Sequence, residues 1–126
     1  MILATLTSMS VRGEESPIDV EPARVAEWLA ARQPPQLIDV REPHEREAGH
    51  IDGSRHIPLA QLTASADSIE RERAVVFYCR AGTRSDMAAQ AFRASGYEAY
   101  SMSGGLLRWA GEGRALTPGG GHVAAH

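Results

Sequence analysis

The run Ala74-Val75-Val76-Phe77-Tyr78 is apolar throughout, with no polar alternation, so a strand built from it must be covered on both faces. A sheet with helices packed above and below meets that condition, and such sheets are largely parallel. Ile18 to Val20, Leu37 to Val40, Arg55 to Ile57 and Glu98 to Met102 read as further short strands. Helical patterns lie between them. Pro22 occupies a first helical position ahead of Val25, Trp28 and Leu29, and a charged turn runs from Pro43 through Glu47 until Gly49 ends it. A short helix follows Pro58 through Leu62. Arg84 to Ser95 reads as a longer helix with Met87, Ala88, Ala91 and Phe92 on its buried face and Gly96 as its cap, and Leu106 to Gly111 forms the last. The expectation is a three-layer α/β domain, a mostly parallel five-stranded sheet with helices on both faces, which takes ligands beyond the carboxyl ends of its strands.

A chain of 126 residues with 43% hydrophobic content suits one core. The domain is expected over residues 17–116, behind a lead-in of residues 1–16 and ahead of a Gly-rich, flexible tail of residues 117–126. A net charge of −3 argues against a nucleic-acid partner, which needs a basic face. All 13 basic side chains are Arg, so Schiff-base chemistry and a phosphate-loop Lys are excluded. No run approaches the ~18 apolar residues of a membrane span, and the opening residues lack the basic start of a secretory signal. The single cysteine allows no internal disulfide, and a lone reactive thiol points to a reducing cytoplasm.

That cysteine, Cys79, ends the apolar run and opens the segment Cys79-Arg80-Ala81-Gly82-Thr83-Arg84, with Ser85 leading into the helical pattern. A strand-to-helix turn gathers backbone N–H groups and the positive end of a helix around the sulfur, which favours a thiolate and an anionic ligand. Arg80 and Arg84 add charge on the same loop. The arrangement suits covalent catalysis by a cysteine nucleophile. Gly82 alone in the loop takes a positive φ without penalty.

The loop resembles the active-site loop of rhodanese-domain sulfurtransferases. Leu37-Ile38-Asp39-Val40-Arg41 is similar to that family's strand ending in Asp-x-Arg. Gly49-His50-Ile51-Asp52-Gly53-Ser54 before Ile57-Pro58, and Gly104-Gly105-Leu106 before Trp109, are similar to further family landmarks in the same order. Ser54 stands where the family more often has Ala. The resemblance implies the rhodanese-like fold and a thiosulfate sulfurtransferase that needs no cofactor. Cys79 would take sulfane sulfur as a persulfide from a small donor such as thiosulfate and pass it to a thiol, small or protein-borne, or to cyanide. It assigns donor binding to Arg80, Ala81, Gly82, Thr83 and Arg84, with Arg80 and Arg84 also stabilising the thiolate.

Loop length separates this chemistry from its neighbours. Cysteine-dependent phosphatases and arsenate reductases place Arg after five intervening residues; here four separate Cys79 from Arg84, and Ser85 stands at the phosphatase position. A binding or regulatory module without turnover is the other alternative, disfavoured by retention of Cys79. Asp39 and Arg41 read as a structural pair that fixes neighbouring loops, since buried charges are generally paired. The Glu42, Glu45, Arg46 cluster reads as a solvated helical face. His44, His50 and His56 recur every six residues, which matches no metal spacing, so no metal is expected. Trp109 reads as core or pocket wall.

Overall fold

The computed structural model describes residues 17–126. The lead-in expected over residues 1–16 lies outside the described residues. In chain order the elements are β1 (Asp19–Val20), α1 (Pro22–Leu29), β2 (Gln36–Asp39), α2 (Pro43–Ala48), β3 (Arg55–His56), α3 (Leu62–Ser65), β4 (Val75–Tyr78), α4 (Thr83–Ala94), β5 (Ala99–Met102) and α5 (Gly105–Gly111). Single 3₁₀ turns at Leu59–Gln61 and Ala66–Ser68 flank α3. The strands form one sheet in the order β1-β5-β4-β2-β3, and every neighbouring pair is parallel. Val75–Tyr78 of the apolar run is therefore the central strand, and all four residues are buried.

Alternation along β4 divides the interior in two. Val75, Phe77 and Cys79 face a cluster with Leu62 of α3 and Ala88, Ala89 and Phe92 of α4. Val76 and Tyr78 face a second cluster with Val25 of α1 and Leu106 and Trp109 of α5. Phe77 meets Phe92 edge-on, 5.0 Å between ring centres, and truncating either ring to Ala would cost about 3 to 5 kcal/mol.

The buried face of α4 is set one residue away from the expected one. Ser85, Ala88, Ala89 and Phe92 are buried at helical spacing, whereas Met87 is 53% exposed and Ala91 lies on the outside. Choosing Met87 over Ser85 follows from hydropathy alone. The hydroxyl of Ser85 is buried because it is hydrogen-bonded, as described below.

The segment expected to be a flexible tail is laid against the domain. His50 and Thr117 exchange backbone hydrogen bonds (2.9 and 2.8 Å), and the His122 N–H donates to the Ala48 carbonyl at 2.9 Å. Val123 packs on the second core cluster. Gly121 makes this approach possible: a Cβ there would sit 2.8 Å from the Ala48 carbonyl oxygen and 3.1 Å from Gly49 Cα. These contacts come from backbone groups and a missing side chain, which composition does not register.

Candidate active site

Cys79 follows β4 directly and is 1% exposed. The Gly82 N–H donates to Sγ at 3.1 Å and the Ser85 N–H at 3.4 Å, while the Ser85 hydroxyl lies 3.5 Å from Sγ. Gly82 caps α4 with φ +115°, a conformation that side chains other than hydrogen rarely adopt, and this turn aims its N–H back at the sulfur. Among the described residues, the amides of Arg80, Ala81, Thr83 and Arg84 take no acceptor, so the loop keeps further donors beside the thiol.

The start of α5 holds the loop from below. Leu106 N–H donates to the Cys79 carbonyl (2.8 Å) and Leu107 N–H to the Arg80 carbonyl (3.0 Å). A Cβ at Gly105 would come within 2.7 Å of Ala81 N and closer still to the Arg80 carbonyl, so a side chain there would push the loop away. The Gly-Gly pair thus sets the depth at which the cysteine loop lies.

Arg84 is paired with a buried carboxylate. Its two terminal nitrogens donate to Oε1 and Oε2 of Glu45 at 2.8 and 2.9 Å. Glu45 is fully buried, which overturns its reading as part of a solvated face. Its Oε1 also accepts the Glu42 N–H at 2.9 Å, closing a capping box at the start of α2. Burial alone would push this carboxyl up. The Arg84 fork, the backbone N–H and the charges of Arg84 and Arg41 outweigh it and hold the carboxyl below its ordinary range. The same pairing raises the Arg84 guanidinium above its usual value.

Asp39 and Arg41 tie α2 to the sheet. Arg41 donates to both carboxylate oxygens of Asp39 (2.9 and 2.7 Å) and to the carbonyls of Glu45 and Gly49 at the two ends of the α2 turn. Arg46 adds a hydrogen bond to Asp39 and two to Ser54. The Ser54 hydroxyl also meets the Tyr78 hydroxyl at 3.0 Å, so Ser here has partners that Ala would lack. Burial, with the Asp39 charge, pushes the Tyr78 phenol up to about 12, and it stays neutral at the base of the site. The chain of contacts runs from the end of β2 through α2 and Glu45 to Arg84 on the cysteine loop.

Arg80 is placed differently. Its Nε donates to the Ala124 carbonyl at 3.1 Å, and no carboxylate pairs with it among the described residues. The next carbonyl along, Ala125, meets His44 Nε2 at 3.1 Å. The tail thereby joins the cysteine loop to α2. His44, His50 and His56 each contact a different backbone carbonyl, and no cluster of metal-ligating side chains occurs among the described residues.

The family model of the rhodanese-like domain matches residues 21–112, nearly the whole of this framework. The chain belongs to the rhodanese-like domain family. It is 44% identical over 90 residues to the uncharacterized protein YqhL of Bacillus subtilis, covering 71% of each chain. It is 29% identical over 94 residues to the putative sulfurtransferase YtwF of the same organism, covering 75% of this chain and 91% of that one. The rhodanese-related protein of Thermoplasma volcanium superposes with a TM-score of 0.73 at 28% identity, over 79% of this chain and 96% of that structure. Within this rhodanese-like domain, three residues that the sequence did not mark contribute to the site: Glu45, Ser85 and Ser101. The signal for Glu45 was present, since Glu42-Pro43-His44-Glu45 has the spacing of a capping box with Pro at the first helical position. The tail lies beyond the residues that the family model matches.

Proposed function

We propose that the protein is a sulfurtransferase in which Cys79 carries sulfane sulfur as a persulfide. The observation that carries this reading is the pair of backbone N–H groups aimed at Sγ, one from Gly82 within the six-residue loop and one from Ser85 directly after it. Oriented N–H donors in a shielded site stabilise sulfur-centred negative charge without reorganisation at the moment of reaction. Membership of the rhodanese-like family and a relative named a putative sulfurtransferase support it.

In the first half-reaction the Cys79 thiolate attacks the outer sulfur of an anionic donor such as thiosulfate. The donor's sulfur–sulfur bond breaks, its electron pair leaves with sulfite, and a new bond joins Sγ to the sulfane sulfur. In the second, an acceptor thiolate attacks that outer sulfur, and the pair of the breaking bond returns to Sγ. The amides of Ala81, Gly82, Thr83 and Arg84 receive the charge of the terminal sulfur. Arg80 draws the anionic end of the donor, while Arg84, through Glu45, fixes the loop. Asp39 and Arg41 hold α2, and with it Glu45, in register.

Thiosulfate treatment followed by peptide mass spectrometry tests the reading. The peptide containing Cys79 is expected to gain one sulfur atom, removable by dithiothreitol, with release of one sulfite. Cys79→Ser is expected to lose thiosulfate-dependent sulfite release by at least about 100-fold while keeping its fold. Sulfite release retained by Cys79→Ser would overturn the assignment.

A further inference from the structure

Behind the cysteine stands a pair of hydroxyls that the reaction as written does not use. Ser101, in the middle of β5, is 1% exposed between Tyr100 and Met102, and its Oγ lies 2.8 Å from Ser85 Oγ. No other side-chain partner of Ser101 occurs among the described residues. Ser85 Oγ also lies 3.1 Å from the Gly82 carbonyl and 3.5 Å from Cys79 Sγ. We propose that Ser101 is a positioning residue, which turns the Ser85 hydroxyl toward Cys79 Sγ whenever that sulfur carries negative charge.

Ser85 has one hydroxyl hydrogen and three neighbours. While Cys79 is a thiol, its S–H donates to Ser85 Oγ, and the Ser85 O–H is free to donate to the Gly82 carbonyl or to Ser101. Once Sγ is a thiolate it only accepts, and the Ser85 O–H is the hydroxyl within reach. The Gly82 carbonyl competes for that hydrogen at a shorter distance and cannot donate in return. Ser101 can: its O–H directed at Ser85 Oγ fills the acceptor position and polarises the Ser85 O–H, which strengthens the bond to the sulfur. Ser101 has no other demand on its hydrogen, so the relay has one consistent direction, Ser101 to Ser85 to Cys79.

The charged groups that face this sulfur do not duplicate the effect. Arg84 of α4 interacts electrostatically with Cys79 but is held by Glu45 of α2, and Arg80 is turned to the tail. β5 presents no charge, only the Ser101 hydroxyl. The relay acts on the inner sulfur. In the persulfide the charge moves to the outer sulfur, so Ser101 favours return of the electron pair to Sγ in the second half-reaction. This consequence rests on the sulfurtransferase reading; the effect on the thiolate does not.

The test is the pH profile of iodoacetamide alkylation of Cys79, measured with no sulfur donor present, for the wild type and for Ser101→Ala, Ser101→Thr and Ser85→Ala. Ser101→Ala is expected to slow alkylation about two- to threefold at pH 7, with the rates converging at alkaline pH, and Ser85→Ala to slow it about three- to tenfold. Ser101→Thr restores the hydroxyl and is expected to recover the wild-type profile, whereas a role in packing alone would not be rescued by the larger side chain. The proposal is overturned if the Ser101→Ala profile overlays that of the wild type. It is equally overturned if Ser101→Thr and Ser101→Ala behave alike. Since no persulfide is formed in this measurement, failure of the sulfurtransferase reading would show up separately, as an unchanged mass after thiosulfate treatment.

Discussion

Arg80 and Arg84 flank the same six-residue loop and carry the same charge, yet the structure uses them in opposite ways. Arg84 meets a buried carboxylate with both ends of its fork, and Arg80 gives one nitrogen to a tail carbonyl and keeps its charge unpaired among the described residues. A cation matched by a buried anion contributes geometry, because its field largely cancels beyond the pair. A cation tied to a neutral carbonyl still contributes field. The lesson is that the number of arginines in a loop does not give the attraction the loop exerts on an anionic donor.

The largest break in this contrast comes from Glu45. Glu45→Gln keeps the shape but leaves the Arg84 fork without its anion, and is expected to destabilise the fold by about 2 to 3 kcal/mol in urea unfolding. Sulfur transfer should fall by a similar factor for thiosulfate and for an uncharged persulfide donor, since the loop itself shifts. A loss confined to thiosulfate would give Arg84 back a role in donor binding. Arg84→Lys should behave likewise at smaller amplitude, because an ammonium cannot satisfy both carboxylate oxygens at once.

The pairing also predicts an acid limb. The folded Glu45 carboxyl titrates below its unfolded value of about 4.5. Its contribution to stability is therefore fully present above that value and is lost as pH falls through the folded value. Unfolding free energies of wild type and Glu45→Gln, measured from pH 6 downward, are expected to converge on the acid side; a constant gap would show that Glu45 does not titrate with folding.

Arg80 sharpens the contrast from the other side. Arg80→Ala is expected to raise the KM for thiosulfate about fivefold, to leave an uncharged donor within about twofold, and to change the melting temperature little. Equal losses for both donors would make Arg80 a second positioning residue. The smallest effect is expected from Gly121→Val, whose side chain meets the Ala48 and Pro118 carbonyls. Displacing the tail frees the Arg80 Nε, and the KM for thiosulfate should drop by about twofold or less. A rise would mean that the tail helps to present Arg80 to the donor.

The fold could be read from the sequence wherever burial left an apolar record. The unbroken run before Cys79 marks a central strand, and Pro22, Pro43 and Gly96 mark helix ends, so element order and the place of the cysteine follow. Polar burial left no such record. Glu45 and Ser85 look like surface residues until their partners are known, and those partners are Arg84, thirty-nine residues away, and Ser101, sixteen away. Buried polar groups are recognised by whom they meet, and sequence separation hides the meeting. The Arg84–Glu45 pair was hidden for the same reason: the loop supplies the cation, and α2 supplies the anion that meets it.

The tail's hold on the site has a further consequence. Ala124 and Ala125 act through their carbonyls, which every residue possesses, and the approach of the segment to α2 depends on Gly121 lacking a side chain. The residues at 124 and 125 can therefore change freely, provided the segment keeps its length and its glycine, and the brace between the cysteine loop and α2 will persist. Two chains with dissimilar sequences here can share the same brace, and one glycine replaced can undo it.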